Sequence, residues 1–270
     1  MVVRQMRRAA RIAGFGALTA GMLPAFLVHQ RIARPADRGN VRDRWVGAWS
    51  GALLGLFGVR AHLRIASPGD ALGRATTFGA LRERSRDRGQ LIVANHRSTA
   101  DILVLLQAFG GRVVSRADLS RWPLVGASAR SVGTVFVDRS DAVSGASAVR
   151  TIRSMLARGS TVIVFAEGTT FAGDEVRPFH AGAFVAALRS GADVVPVGLA
   201  YRAGSDAAFV HESFGAHLAR VAAAAPSDMA MCVGPPIAVG QNVRAAELKD
   251  RAHAEVQRLV RVARKSVDGA

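Results

Sequence analysis

Short apolar runs rich in β-branched residues recur along most of the chain and alternate with segments of helical periodicity. Such runs are typical of buried strands. Strands that alternate with helices build a largely parallel sheet covered by helices, because parallel strands need a crossover between them. The predicted strands are His62–Ile65, Leu91–Ala94, Arg112–Ser115, Thr134–Val137, Thr161–Phe165, Val194–Tyr201 and Met229–Val233. The predicted helices are Asp101–Phe109, Ala142–Ala157, Ala181–Arg189 and Val243–Ala263.

This alternation predicts an α/β domain over residues 60–270, with a mostly parallel central sheet flanked by helices. Residues 66–89 are rich in Gly, Arg and Asp, and are expected to form a loop with a weak helix. Residues 1–59 differ in composition and are predicted to form a separate helical region.

The N-terminal region contains two uncharged apolar runs, residues 12–28 and 45–59. Each is slightly shorter than the ~20 residues that a straight helix needs to span a bilayer. Several glycines in both runs suit close helix–helix packing. Residues 1–60 contain ten Arg and two Asp, so their net charge of +8 is half of the chain's net charge of +16.

Four interpretations fit these two runs. We favour a helical hairpin that dips into one leaflet, with Arg side chains in the headgroup layer at both ends. A single spanning helix is the next alternative. A cleaved signal peptide is disfavoured, since no convincing cleavage site follows and an Arg cluster behind the apolar core opposes export. An ordinary soluble helical pair is the fourth.

The strong positive charge indicates an anionic partner, such as nucleic acid, a phospholipid surface or an anionic substrate. Arg supplies 34 of the 36 basic residues, a bias that a GC-rich genome also produces. Aromatic residues make up 6% of the chain and mostly lie in apolar runs, which argues against a nucleic-acid-binding protein. The single cysteine, Cys232, excludes an internal disulfide framework and a Cys-based metal site.

A polar segment, N-H-R-S-T-A-D at residues 95–101, separates a predicted strand from a predicted helix. Open α/β sheets bind ligands at this end of their strands. The turn allows the carboxylate of Asp101 to meet the imidazole of His96. The carboxylate would hold one ring nitrogen, and the other nitrogen could take a proton from an attacking hydroxyl. The alternative is that Asp101 only caps the helix and His96 is a turn residue.

Two more polar segments follow predicted strands, at residues 138–141 and 167–170, and Pro196 interrupts the strand after them. Each alone has a plain structural explanation: an ion pair, a tight turn or a bulge. Because the carboxyl ends of parallel strands meet at one edge of a sheet, these residues are expected to converge. The fingerprints of α/β-hydrolases, P-loop NTPases, zinc proteases and dinucleotide-binding proteins are absent from the sequence.

Taken in order, these segments resemble the glycerolipid acyltransferases of the lysophosphatidic acid acyltransferase type. The resemblance covers roughly residues 45–240, with order and spacing intact, and several blocks in order are far more specific than one. The matching blocks are N-H-x4-D at 95–101, F-V-D-R at 136–139, F-x-E-G-T at 165–169, P-F-x-x-G-A-F at 178–184 and V-P-V at 195–197.

The resemblance implies an O-acyltransferase that moves a fatty acyl chain from acyl-CoA or acyl-carrier protein to the free hydroxyl of a lysolipid. The favoured acceptor is 1-acyl-sn-glycerol-3-phosphate, giving phosphatidic acid, and a related branch acts on a lyso-ornithine lipid. His96 would be the general base and Asp101 would orient it. No metal or prosthetic cofactor is implied. The implied substrate-binding residues are Asn95, Arg139, Glu167, Gly168, Thr169, Thr170 and Arg177.

Two positions depart from the family pattern. Thr170 stands where the family has Arg, and His180 stands where it often has Lys. Both changes remove a permanent positive charge from the expected head-group pocket, and Arg177 is a candidate to compensate. An acceptor that is not a phosphate monoester therefore stays open.

The resemblance also gives the N-terminal pair a purpose, since lysolipids and long acyl chains reside in membranes. We expect it to hold the site against the phospholipid surface of the cell inner membrane, with the catalytic domain on the cytoplasmic side. The amphipathic C-terminal helix is expected to pack on the sheet. A membrane-associated scaffold without activity is the rival hypothesis, and the intact His96 and Asp101 argue against it.

Overall fold

The computed structural model of the protein describes residues 1–84, 89–122, 125–138, 141–205, 207–240 and 243–269. The strands are β1 Val59–Ile65, β2 Arg74–Ala75, β3 Gln90–Ala94, β4 Arg112–Arg116, β5 Val135–Val137, β6 Thr161–Phe165, β7 Asp193–Tyr201 and β8 Ser227–Val233. The α-helices are α1 Val2–Ile32, α2 Arg38–Phe57, α3 Phe78–Arg84, α4 Thr99–Phe109, α5 Val125–Ser131, α6 Ala142–Ala157, α7 Gly182–Ser190, α8 Phe214–Ala223 and α9 Ala245–Asp268. Short 3-10 helices cover Pro35–Asp37 and Ala117–Arg121.

The strands form one sheet in the order β2-β1-β8-β7-β3-β6-β4-β5. Strands β7, β3, β6, β4 and β5 run parallel to one another, while β7 pairs with β8 and β1 pairs with β2 in antiparallel fashion. The predicted α/β fold with a mostly parallel sheet is therefore confirmed. The sequence prediction missed β2 and α5, which are short, and also α8.

The central strands are buried on both faces, which explains their unbroken apolar runs. Successive side chains of β3 point to opposite faces. Ile92 and Ala94 pack with α4, whereas Leu91 and Val93 pack with α6, α7 and α9. Burying each Val, Leu or Ile side chain contributes roughly 1.5–3 kcal/mol before the entropy of ordering it is counted. The C-terminal helix α9 packs along β7 and β8, as predicted.

The N-terminal helices α1 and α2 form a hairpin that lies against the sheet domain. Helix α2 packs on α4 and supplies Val46 and Leu54 to the same apolar core as the central strands. Helix α1 is long and apolar enough to cross a membrane by length and composition. Between Ile12 and Val28, all exposed residues of α1 are apolar. The exposed large apolar residues of α1 are Val2, Val3, Met6, Ile12, Leu27, Val28 and Ile32.

Two arginines hold the start of α1 on this domain. Arg11 is only 8% exposed, and its guanidinium donates to Leu56 O at 2.9 Å and to Ala224 O at 2.7 Å. Arg7 also donates to Ala224 O, at 3.1 Å. These carbonyls lie at the carboxyl ends of α2 and α8, where a cation is favoured by the helix dipole. Arg side chains at the ends of the apolar runs were expected in the headgroup layer, but Arg11 is buried and bonds to backbone carbonyls of the protein.

Candidate active site

The turn between β3 and α4 is held by a capping box. The hydroxyl of Ser98 accepts from Ala100 N, and the carboxylate of Asp101 accepts in return from Ser98 N. Two otherwise unpaired backbone N–H groups at the start of α4 are satisfied in this way. The box turns Asp101 back toward the residues that follow β3, so the side chain of His96 is within its reach.

The His96 imidazole and the Asp101 carboxylate are in contact, with Nδ1 and Oδ2 3.0 Å apart. Asp101 is fully buried, and 15% of the His96 side chain is exposed. The imidazole stacks on the ring of Phe165, the last residue of β6, with ring centroids 3.8 Å apart. Among the residues that the structure describes, none bonds to Nε2 of His96. Asp101 is therefore both a helix-capping residue and the partner of His96, which the sequence analysis had treated as alternatives.

The second carboxylate oxygen of Asp101 accepts from the hydroxyl of Tyr201, at 2.6 Å. Burial, followed by the negative charge of Asp101, raises the pKa of Tyr201 well above its ordinary value, so the phenol stays protonated. Sequence reasoning missed this residue. The available signal was that Tyr201 is the only tyrosine in the chain and ends a predicted strand.

Glu167 lies directly behind His96 and is buried. Its carboxylate accepts from His96 N at 2.6 Å, from Arg177 N at 2.8 Å and from the guanidinium of Arg97 at 3.0 Å. Arg97, also buried, donates further to Gly173 O and Glu175 O. This buried ion pair joins the turn after β3 to the loop after β6.

The predicted substrate-binding residues fall into two groups. The first group, Asn95 and Glu167, bonds to other protein groups. Asn95 is buried, and its amide bonds both the N–H and the carbonyl of Leu199, so it joins the end of β3 to β7. Glu167 bonds the groups given above. Gly168, Thr169 and Thr170 instead line a cavity beside His96. Arg139 lies outside the described residues.

Thr170 and His180, which depart from the family pattern, and Arg177, which could compensate for them, have different surroundings. Thr170 donates its hydroxyl to the carbonyl of Phe209. His180 is exposed. Arg177 is about half exposed, and its guanidinium lies 5.3 Å from the centre of the Phe171 ring, a distance typical of a cation–π contact.

The cavity has a volume of about 280 Å³, and residues of the N-terminal helices and of the sheet domain line it. His96, Thr99 and the 168–170 turn are part of its wall, and most of the remaining wall is apolar. Aromatic and aliphatic side chains of α1 and α2 supply much of that wall, including Phe15, Leu23, Phe26, Trp49, Leu53 and Phe57. The described residues include no cluster of three or more His, Cys, Asp or Glu side chains that could hold a metal ion.

A second histidine–carboxylate pair lies beside the first. Nδ1 of His217 is 3.0 Å from Oε1 of Glu212, and Nε2 is 3.0 Å from Oγ1 of Thr99. Burial lowers the pKa of His217 below its ordinary value. The hydrogen bond from Arg220 lowers the pKa of Glu212, so this carboxylate is ionised. The sequence analysis did not identify this pair.

This chain is similar to known proteins in sequence and in fold. Residues 77–200 match the family model described as Acyltransferase. A lyso-ornithine lipid O-acyltransferase of Pseudomonas aeruginosa is 29% identical over 204 residues, 74% of this chain and 70% of that protein. A 1-acyl-sn-glycerol-3-phosphate acyltransferase of Neisseria meningitidis is 32% identical over 113 residues, 42% of this chain and 44% of that protein.

A solved structure shows the same fold. The crystal structure of the 1-acyl-sn-glycerophosphate acyltransferase of Thermotoga maritima matches with a TM-score of 0.69, over 95% of this chain and 96% of that one, at 19% identity. The match to the Acyltransferase model and the names of these relatives are consistent with the O-acyltransferase that the sequence predicted. The chain is thus similar to lysophospholipid acyltransferases, which confirms the resemblance that its motifs predicted.

Proposed function

We propose that this protein transfers a fatty acyl chain from an acyl thioester to the free hydroxyl of a lysolipid, with His96 as general base. One observation carries the proposal. Asp101 holds Nδ1 of His96, while Nε2 has no bond within the described part of the chain, and His96 lines a largely apolar cavity. A base, its orienting partner and space for an acyl chain are thus adjacent.

The contact with Asp101 fixes the tautomer. An ionised carboxylate only accepts hydrogen bonds, so Nδ1 carries the proton and Nε2 is free to take another. Nε2 removes the proton of the acceptor hydroxyl as its oxygen attacks the thioester carbonyl. The C–S bond then breaks, and the imidazolium returns its proton to the departing thiolate. Asp101 stabilises the imidazolium between these steps. A positioned base contributes about 10²–10⁴-fold, and the positioning of both substrates supplies much of the rest.

The cavity supports a long-chain donor. Its wall is largely apolar and includes His96, so an acyl chain can lie inside with its thioester carbonyl near Nε2. Each buried methylene group contributes about 0.8 kcal/mol. Acyl-CoA and acyl-carrier protein are both candidate donors, and no metal or prosthetic cofactor takes part in this mechanism.

Two lysolipids are candidate acceptors. 1-acyl-sn-glycerol-3-phosphate, which would give phosphatidic acid, is suggested by the names of the Neisseria and Thermotoga proteins. A lyso-ornithine lipid is suggested by the Pseudomonas relative, whose match covers most of this chain. Thr170 favours the second candidate, since a neutral residue that bonds Phe209 O adds no charge for a phosphate. Arg139 and Arg177 remain the proposed head-group cations.

An acceptor panel tests the proposal. Purified protein in detergent is incubated with acyl-CoA and one lysolipid at a time, and mass spectrometry identifies which lipid gains an acyl chain. We expect one lysolipid class to react and His96→Ala to abolish the reaction. The proposal fails if no lysolipid gains mass, or if His96→Ala keeps more than about a tenth of the activity.

We further propose that the α1–α2 hairpin rests in one leaflet of the cell inner membrane and that the catalytic domain lies on the cytoplasmic side. Helix α2 is part of the protein core, and Arg11 ties the start of α1 to the same domain, so the apolar outer face of α1 is the surface left for lipid. Cysteines introduced at Arg4 and Arg34, near the two ends of α1, should label from the same side of sealed vesicles. Labelling from opposite sides would show a spanning helix instead.

A further inference from the structure

The two carboxylate oxygens of Asp101 have unequal sets of donors. Oδ2 accepts from Arg97 N at 2.6 Å, from Ser98 N at 2.8 Å and from His96 Nδ1. Oδ1 accepts from the phenol of Tyr201, its one donor among the described residues. The backbone fixes one side of the carboxylate, so a single side chain controls the other.

Tyr201 is held firmly in place for this contact. It is the last residue of β7, it is buried, and it belongs to the apolar core between the sheet and α4. Its carbonyl accepts from the guanidinium of Arg264 in α9. The hydroxyl therefore has little freedom to leave Asp101.

We propose that Tyr201 is a positioning residue of the acyl-transfer site, whose phenol donates to Asp101 and so sets how strongly the carboxylate binds the protonated His96. This inference rests on the function proposed above. A stronger phenol donor draws charge from the carboxylate and weakens its hold on a proton at the pair. Removal of the donor has the opposite effect, because the buried charge is then compensated mainly by His96.

The sign of the effect follows from treating His96 and Asp101 as one coupled pair. Loss of the phenol donor increases the proton affinity of the pair, and the base is active only when unprotonated. The acidic limb of the kcat/KM profile therefore moves to higher pH. The other titratable or charged groups facing the pair are Arg97 with Glu167 behind His96, His217 beside the first turn of α4, and Arg264 on the Tyr201 carbonyl.

Two changes at the same atom test the proposal in opposite directions. Tyr201→Phe removes the donor, and fluorotyrosine, which is a more acidic phenol, strengthens it. Because Tyr201 is the only tyrosine, biosynthetic replacement of tyrosine alters this one side chain. We expect the acidic limb to rise by about one pH unit in Tyr201→Phe, with kcat reduced about tenfold, and to fall in the fluorinated protein. NMR titration of the His96 imidazole should shift in the same order.

Ser266→Ala is the matched control. It removes another buried hydroxyl that makes a hydrogen bond, here to Arg64 Nε at 2.6 Å, but far from His96. It should lower the melting temperature without moving the acidic limb. The inference would be overturned if the acidic limb of the kcat/KM profile stayed at the wild-type pH in both Tyr201 proteins. If Tyr201→Phe does not fold, the fluorotyrosine protein alone is sufficient for the test. Failure of the proposed function is separate, since the wild-type protein would then show no acyl transfer to compare.

Discussion

The two histidine–carboxylate pairs of this protein are built alike. In each, the histidine and the carboxylate are five residues apart in the sequence, and Nδ1 lies 3.0 Å from a carboxylate oxygen. Each imidazole stacks on a phenylalanine ring, His96 on Phe165 at 3.8 Å and His217 on Phe209 at 4.4 Å. Contact, spacing and stacking therefore do not distinguish the proposed base, His96, from His217.

The difference lies in the second ring nitrogen and in the charge of the carboxylate. Nε2 of His217 is occupied by Thr99, and the His217 side chain is fully buried. The charge of Glu212 is compensated by Arg220, at 2.5 Å. Within the described residues, the charge of Asp101 faces backbone N–H groups, a phenol and His96, without an arginine or lysine partner. Only this carboxylate is left to stabilise an imidazolium.

The largest expected effect is therefore on the histidines. His96→Ala should lower kcat/KM by about 10²–10⁴-fold, because the base is lost. His217→Ala should lower it by less than about threefold at temperatures where the protein is folded, since its nitrogens bond within the protein. Thiol release from acyl-CoA in the presence of lysolipid measures both. Similar losses in the two variants would contradict the assignment of roles.

Substitution of the carboxylates should change activity in the same order as substitution of their histidines. In Asp101→Asn, the amide oxygen can take the place of Oδ2, but the NH2 group then replaces the acceptor of the Tyr201 phenol. An unsatisfied buried donor costs roughly 1–3 kcal/mol. We expect a lower melting temperature and a loss of activity of about a hundredfold or more, since the imidazolium also loses its counter-charge. Glu212→Gln should keep most of the activity. Melting curves and initial rates measured on the same preparations separate stability from catalysis.

The contacts of the two pairs differ in how far they can be predicted from the sequence. The His96–Asp101 contact was predictable because a five-residue strand-to-helix turn brings the two side chains together locally. The contact of Asp101 with Tyr201 joins residues 100 apart, and that of Thr99 with His217 joins residues 118 apart. Such contacts depend on the order of strands and on the packing of α8, which periodicity does not encode. The contact of Asn95 with Leu199 is of the same kind, since Leu199 lies on a distant strand.

The pH dependence of folding should depend on the second pair. Burial lowers the pKa of His217 from an ordinary value of 6.5. Between these two pKa values, His217 is mostly protonated in the unfolded chain and mostly neutral in the folded protein. The free energy of unfolding therefore decreases as the pH falls from 6.5 to the lowered pKa of His217. Above pH 6.5, His217 is neutral in both states and does not change this free energy with pH. His217→Gln should show a smaller loss of stability on acidification than the wild type. Urea midpoints at about pH 7.5 and about pH 5.5 measure this, with the exposed His180→Gln as the matched control.

The smallest expected effect concerns Thr99, which touches both regions because it lines the cavity and bonds His217. An ionised Glu212 accepts from Nδ1–H of His217, so Nε2 accepts from the Thr99 hydroxyl and that hydroxyl is already used. Thr99→Val should then lower stability by about 1–3 kcal/mol while changing kcat/KM by less than about threefold. A double-mutant cycle with His217→Gln should show coupling in the free energy of unfolding and none in acyl transfer. Coupling in the transfer rate would mean that the second pair acts through Thr99 on the reacting groups, and the two pairs would then form one catalytic network.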